Sequence, residues 1–128
     1  MIVVDTSVWI AAPRQPLVAE TLRQLLEADE VALALPVRLE LWAGLARHQR
    51  AGFLRMLRSV PQLCPTDETW NPIAGWMEQV TDAGERFGLI DLLIASLTAE
   101  IGGLVWSLDK DFERMERLGL VSLYALPH

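Results

Sequence analysis

The sequence predicts an α/β protein with a central, mostly parallel β-sheet flanked by α-helices, and three observations predict it. Short, strongly apolar runs at residues 2–4, 31–35 and 104–106 read as strands buried on both faces. Longer segments with apolar residues at helical spacing separate them. Pro36, Gly88 and the Gly102-Gly103 pair stand at the joints, where helices begin or end.

In chain order, Ile2-Val3-Val4 forms the first strand and ends at Asp5. Thr6 and Ser7 follow as hydroxyl residues at a strand-to-helix turn, where helix caps belong. A helix over 17–28 has Pro16 near its start and Leu22, Leu25 and Leu26 on one stripe. The second strand covers 31–35, and a helix over 36–47 carries Leu39, Trp42 and Leu45 inward with Glu40 set off from that stripe. Another helical piece covers 50–58, with a break near Gly52. Residues 62–64 give a short third strand, and Thr66 or Asp67 caps a long helix reaching Val80 or beyond. After Gly88, residues 89–101 form an almost wholly apolar helix with one interior acid, Asp91. A strand at 104–106, a loop at 107–111, a short amphipathic helix at 112–118 and a last strand at 121–124 complete the chain.

At 128 residues the chain has the length of one domain with one core, taken as residues 1–128. With 52% apolar and 22% charged residues, it has the composition of a folded chain and not of a disordered one. No apolar run reaches the roughly 18 residues that a membrane span requires, so no membrane is expected as a partner. The start is apolar from residue 2 and lacks a basic segment, which fits a buried strand and not a signal peptide. A single cysteine, Cys64, excludes an internal disulfide and a cysteine-based zinc site, and a reducing, cytoplasmic setting fits it best. The net charge of −6 argues against a general nucleic-acid binder. Yet Arg38, Arg47, Arg50, Arg55 and Arg58, five of the 11 basic residues, lie in one stretch whose only acid is Glu40. That stretch is either a solvated helix face or a surface for phosphate or a partner.

Parallel sheets bind ligands in the crevice beyond the carboxyl ends of their strands, and the acids gather there. Asp5 ends the first strand, Asp109 lies just past the strand at 104–106, Glu40 is near the start of the helix after the second strand, and Asp91 is in the first turns of its helix. Each has a plainer reading. Asp5 would cap the turn at Thr6, Glu40 would pair with Arg38 or Arg47, and Asp109 and Asp111 would be loop or cap residues. Asp91 sits in Leu89-Ile90-Asp91-Leu92-Leu93-Ile94-Ala95, where an ionised carboxylate is costly unless paired, for instance with Arg86, or bound to a cation. Several carboxylates brought together force one to keep its proton unless a cation is present. Oxygen-only ligation suits Mg²⁺ or Mn²⁺, and one or two such ions would serve phosphodiester hydrolysis. The two histidines, His48 and His128, lie away from these acids, which disfavours a metal-free histidine mechanism.

Four segments then match a known pattern: Val4-Asp5-Thr6-Ser7-Val8-Trp9-Ile10, Pro36-Val37-Arg38-Leu39-Glu40-Leu41, Ile90-Asp91-Leu92-Leu93-Ile94-Ala95 and Ser107-Leu108-Asp109-Lys110-Asp111-Phe112. In this order and spacing the chain resembles the PIN domain over essentially its whole length, and its opening looks like the VapC-type toxins of VapBC toxin–antitoxin pairs. The resemblance implies a metal-dependent endoribonuclease with an acidic quartet on Asp5, Glu40, Asp91 and Asp109. It puts the family's supporting hydroxyl on Ser7 and on Ser107, a position where the family commonly has threonine. Asp111 would be an outer ligand or a cap for the following helix. The resemblance further implies a homodimer, an RNA substrate, growth arrest by RNA cutting, and a VapB-like antitoxin. Such an antitoxin would lay a C-terminal segment near the acids, against the faces around Trp9 and Trp42; Trp106 and Trp76 read as core. A silent PIN-like module that binds RNA or protein without cutting is the alternative. Phosphotransfer domains of the haloacid-dehalogenase or response-regulator kind do not fit, because Ser7 stands where the first needs a second aspartate and the second needs a neighbouring acid pair. A structure-specific DNA nuclease of related fold would usually need a longer chain.

Overall fold

The computed structural model describes residues 1–126. The expected span 1–128, and with it His128, reaches into Pro127 and His128, which lie outside the described residues. Strand β1 (Ile2–Val4) leads into α1 (Thr6–Ala11), a 3₁₀ turn (Ala12–Arg14) and α2 (Pro16–Glu27). Strand β2 (Val31–Ala34) runs directly into α3 (Leu35–Ala43), followed by a second 3₁₀ turn (Arg47–Gln49) and α4 (Arg50–Leu57). The two-residue β3 (Gln62–Leu63) precedes α5 (Asp67–Asp82) and α6 (Leu89–Glu100). Strand β4 (Leu104–Trp106) and α7 (Lys110–Arg117) close the order.

The four strands form one sheet in the order β3-β2-β1-β4, with every pairing parallel. This is the α/β architecture that the alternating pattern predicts. Val3, Val4, Leu33, Ala34 and Val105 are fully buried, because helices cover both faces of the sheet. Helix α6 packs its Leu92–Thr98 stretch into the core, which explains why it reads as apolar on every side. Its end has the hydrogen bonds of a Schellman cap: Gly102, at φ 60°, donates to Ala99 and Gly103 donates to Thr98. Trp106 is buried as expected, and Trp76 packs partly buried against the core.

Several local expectations change. The break falls at Gly44–Ala46, and α4 runs straight through Gly52 beside the guanidinium of Arg55. In α3 it is Pro36 and Val37 that are buried, whereas Leu39 is 56% and Trp42 38% exposed. Both faces of that helix carry apolar side chains, so periodicity alone cannot select the inner one. The expected last strand reduces to a single parallel bridge, Val105 to Leu123. The turn after Asp5 is a full helix, α1.

Gly103 shows how closely the chain passes itself at the start of β4. A Cβ there would lie 2.8 Å from the Met1 carbonyl oxygen and 3.2 Å from Ile101 Cδ1. Because the first neighbour is backbone, and is already bonded to Leu104 N–H at 3.1 Å, it cannot simply move aside. Gly103→Ala is therefore expected to cost about 1–3 kcal/mol, read as a lower urea midpoint with an unchanged slope.

Candidate active site

The strand order makes one place distinctive. From β1 the chain crosses to β2 on one side, while β4 lies on the other, so connections diverge between β1 and β4. That divergence opens a crevice beyond the carboxyl ends of these two strands. Asp5 follows β1, and Ser107 and Asp109 follow β4. Val4 pairs with Trp106, and Asp5 N–H donates to the Trp106 carbonyl at 2.9 Å, so the two turns leave the sheet side by side.

Two serine hydroxyls join these turns. Ser7 Oγ donates to Asp5 Oδ2 at 2.9 Å and accepts from Leu108 N–H at 3.0 Å. Ser107 Oγ donates to the same Oδ2 at 2.8 Å and accepts from Asp109 N–H at 3.0 Å. A hydroxyl has one proton. With both protons directed at Asp5, the 3.2 Å separation of the two Oγ atoms is a contact that follows from sharing an acceptor. Asp5 occupies the cap position of α1, but its carboxylate makes no capping bond. It is 8% exposed and anchors the loop of residues 107–109.

Asp109 does cap its helix: Oδ1 accepts from Asp111 N–H at 2.9 Å at the start of α7. Asp91 stands in the first turn of α6, after the cap residue Gly88. One carboxylate oxygen from each of Asp91, Asp109 and Asp111 lies within 4.8 Å of the others. Burial, then the charges of Asp5, Asp109, Asp111 and Glu40, push the Asp91 carboxyl up to about 6. The helix dipole favours an anion in a first turn, so burial and like charge outweigh it here. Arg86 is exposed and forms no ion pair with Asp91 among the described residues.

Of the residues singled out in the sequence, Asp91 and Asp109 thus meet, Asp111 joins them, and Asp5 lies in the serine network beside them. Glu40 sits mid-helix in α3, exposed, and comes last among the charges acting on Asp91. It pairs with neither Arg38 nor Arg47 among the described residues. It borders a groove of about 430 Å³ whose walls include Trp9, Ile10, Leu41, Leu45 and Gln49. Trp9 is fixed there by its indole N–H, which donates to the Val4 carbonyl at 3.1 Å. Sequence reasoning missed Arg114. Its guanidinium pairs with both Asp111 and Glu85 and lies over the Phe87 ring, Cζ to centroid 4.9 Å. The Asp111–Arg114 spacing was a readable signal; Glu85 was not.

The residues fit a hard divalent cation. The donors are all carboxylate oxygens. Asp5, Asp109 and Asp111 each commit one oxygen to protein donors, respectively Oδ2, Oδ1 and Oδ1, which orients the second.

A family profile described as PIN domain matches residues 2–118. No curated protein matches the chain. Among solved structures, VapBC2 of Rickettsia felis, bound to a DNA fragment from its promoter, superposes with a TM-score of 0.75 at 16% identity, covering 97% of this chain and 98% of that one. VapBC-1 of nontypeable Haemophilus influenzae gives 0.75 at 20% identity over 98% of each chain. VapBC-5 of Mycobacterium tuberculosis, a member of the VapBC family of toxin–antitoxin systems, gives 0.64 at 28% identity, covering 98% of this chain and 97% of that one.

Proposed function

The chain belongs to the PIN-domain family, and from that premise we propose that it is the toxin of a type II toxin–antitoxin module, an endoribonuclease that hydrolyses RNA at the crevice between β1 and β4. The observation that carries this is the meeting of Asp91, Asp109 and Asp111 within 4.8 Å at that crevice. Three carboxylates so placed repel one another, and a cation removes the penalty.

In this reading Asp91, Asp109 and Asp111 hold Mg²⁺ or Mn²⁺, with Asp5 and Glu40 completing the acidic wall. Such an ion, when bound, supplies Lewis acidity: it lowers the pKa of water and offsets charge developing on a phosphodiester. The chain's own residues do the rest. Ser7 and Ser107 hold Asp5 Oδ2 and tie the 107–109 loop to β1. Asp111 N–H holds Asp109 Oδ1, which orients that carboxylate. Asp91 gives up its proton near pH 6, so ligation favours neutral over acidic solution.

The pairing of solved neighbours with antitoxins supports a separate antitoxin chain as partner, seated in the groove beside Trp9 and Glu40. A homodimer and a cytoplasmic setting complete the proposal. No helix among the described residues is long and apolar enough to cross a membrane.

The deciding experiment incubates the purified, antitoxin-free protein with labelled total RNA in Mg²⁺, in Mn²⁺ and in EDTA. Discrete fragments that require the ion are expected. Folded protein that leaves all RNA intact in both ions would instead identify a silent binding module.

A further inference from the structure

Helix α7 carries two of the three clustered acids, Asp109 at its cap and Asp111 in its first turn, while α6 carries the third. Among the described residues no backbone hydrogen bond joins these two helices. Phe112 and Met115 seat α7 in the core, and Arg114 adds a polar link from α7 to the segment that opens α6. One face of its guanidinium lies over Phe87, which is 9% exposed and immediately precedes Gly88, the cap residue of α6. Its Nη1 pairs with Glu85 Oε2 on that same segment, and its Nη2 pairs with Asp111 Oδ1 on α7. The ring contact, the Glu85 pair and the Asp111 pair fix the planar group in position and orientation, which an ammonium could not match.

We propose that Arg114 is a positioning residue for the acidic centre: by bridging Asp111 to the 85–88 segment it sets the distance of Asp109 and Asp111 from Asp91. This rests on the reading of those carboxylates as a cation site. Charge supports orientation as its role over charge balance. Glu85 cancels the arginine's charge, so the Arg114–Glu85 pair leaves the charge of Asp111 to the cluster. With Oδ1 held by Arg114, the orientation of the Asp111 carboxylate is fixed. The Arg114, Glu85 and Asp111 side chains are each about a third exposed, at 32%, 31% and 37%. Part-buried but solvent-screened ion pairs of this kind add modestly to global stability, and melting in EDTA separates that structural share from the positioning role.

The test is a calorimetric Mn²⁺ titration of the parent protein, Arg114→Ala, Arg114→Lys and Glu85→Gln, with melting curves of each in EDTA. Arg114→Ala is expected to weaken Mn²⁺ binding about tenfold while melting in EDTA close to the parent. Arg114→Lys should recover only part of the affinity, and Glu85→Gln, which touches no clustered acid, should also weaken it. Unchanged or tighter Mn²⁺ binding in Arg114→Ala, with the parent binding normally, overturns the proposal alone. A parent that binds no Mn²⁺ overturns the cation-site reading and this proposal with it.

Discussion

Asp91→Asn is expected to lower RNA cleavage by about a hundredfold or more, and at neutral pH to make the metal-free protein more stable than the parent. Both effects have one cause. Asp91 is the acid that burial and four neighbouring carboxylates hold at a pKa of about 6. An unfolded aspartate titrates near 3.9, so the unfolded chain gives up this proton first as pH rises. The metal-free parent therefore loses stability progressively between about pH 4 and pH 6, and the loss stays constant above that. Fully buried, such a rise would be worth about 3 kcal/mol; Asp91 is only partly buried, so solvent screening leaves about 1–2 kcal/mol. Asparagine cannot ionise. The variant should match the parent below pH 4 and melt above it at pH 7 in EDTA. Adding Mn²⁺ should raise the parent's melting temperature by mass action and leave the variant's nearly unmoved. A variant that cuts RNA at the parental rate would remove Asp91 from the mechanism. Equal melting of the two proteins in EDTA at pH 7 would show that the acids do not strain the fold.

Asp91 was the most legible residue of this crevice, because a lone acid inside an apolar helix has no cheap structural explanation. Asp5 also had a plain reading as a cap, and its position at the end of a buried strand is what drew it into the site. Ser107 was legible through its resemblance to a family position, but its bond to Asp5 spans 102 residues and nothing local encodes it. Asp111 read as an outer ligand or a helix cap, ranked below Asp109. Its place in the trio depends on the closeness of α6 and α7, which is a tertiary fact. Leu39 and Trp42 misled because every turn of α3 offers an apolar residue to either side. Pro36 and Val37, next to the buried β2, are drawn inward first and leave the others outside. Gly52 suggested a break, yet glycine inside a helix costs only about 1 kcal/mol, and α4 accepts it.

Trp106→Ala is the substitution expected to damage the fold most, by about 3–5 kcal/mol. The side chain is 1% exposed and meets Tyr124 edge to face with ring centroids 5.5 Å apart. Domains of this size hold only about 5–15 kcal/mol in total, so the variant should be largely unfolded in urea concentrations the parent tolerates. Trp106→Phe keeps an aromatic ring in the same slot and should recover much of the loss. Position matters as much as size. Trp106 is the last residue of β4, its carbonyl accepts Asp5 N–H, and Ser107 follows it directly. An emptied core under that residue loosens the seam on which Asp5, Ser107 and Asp109 are aligned. RNA cleavage by the fraction of Trp106→Phe that remains folded should therefore stay near the parental rate, while that of folded Trp106→Ala should fall. If urea unfolding shows a loss below about 1 kcal/mol for the alanine variant, the β1–β4 seam draws its rigidity from elsewhere, and the serine network alone would have to hold the site.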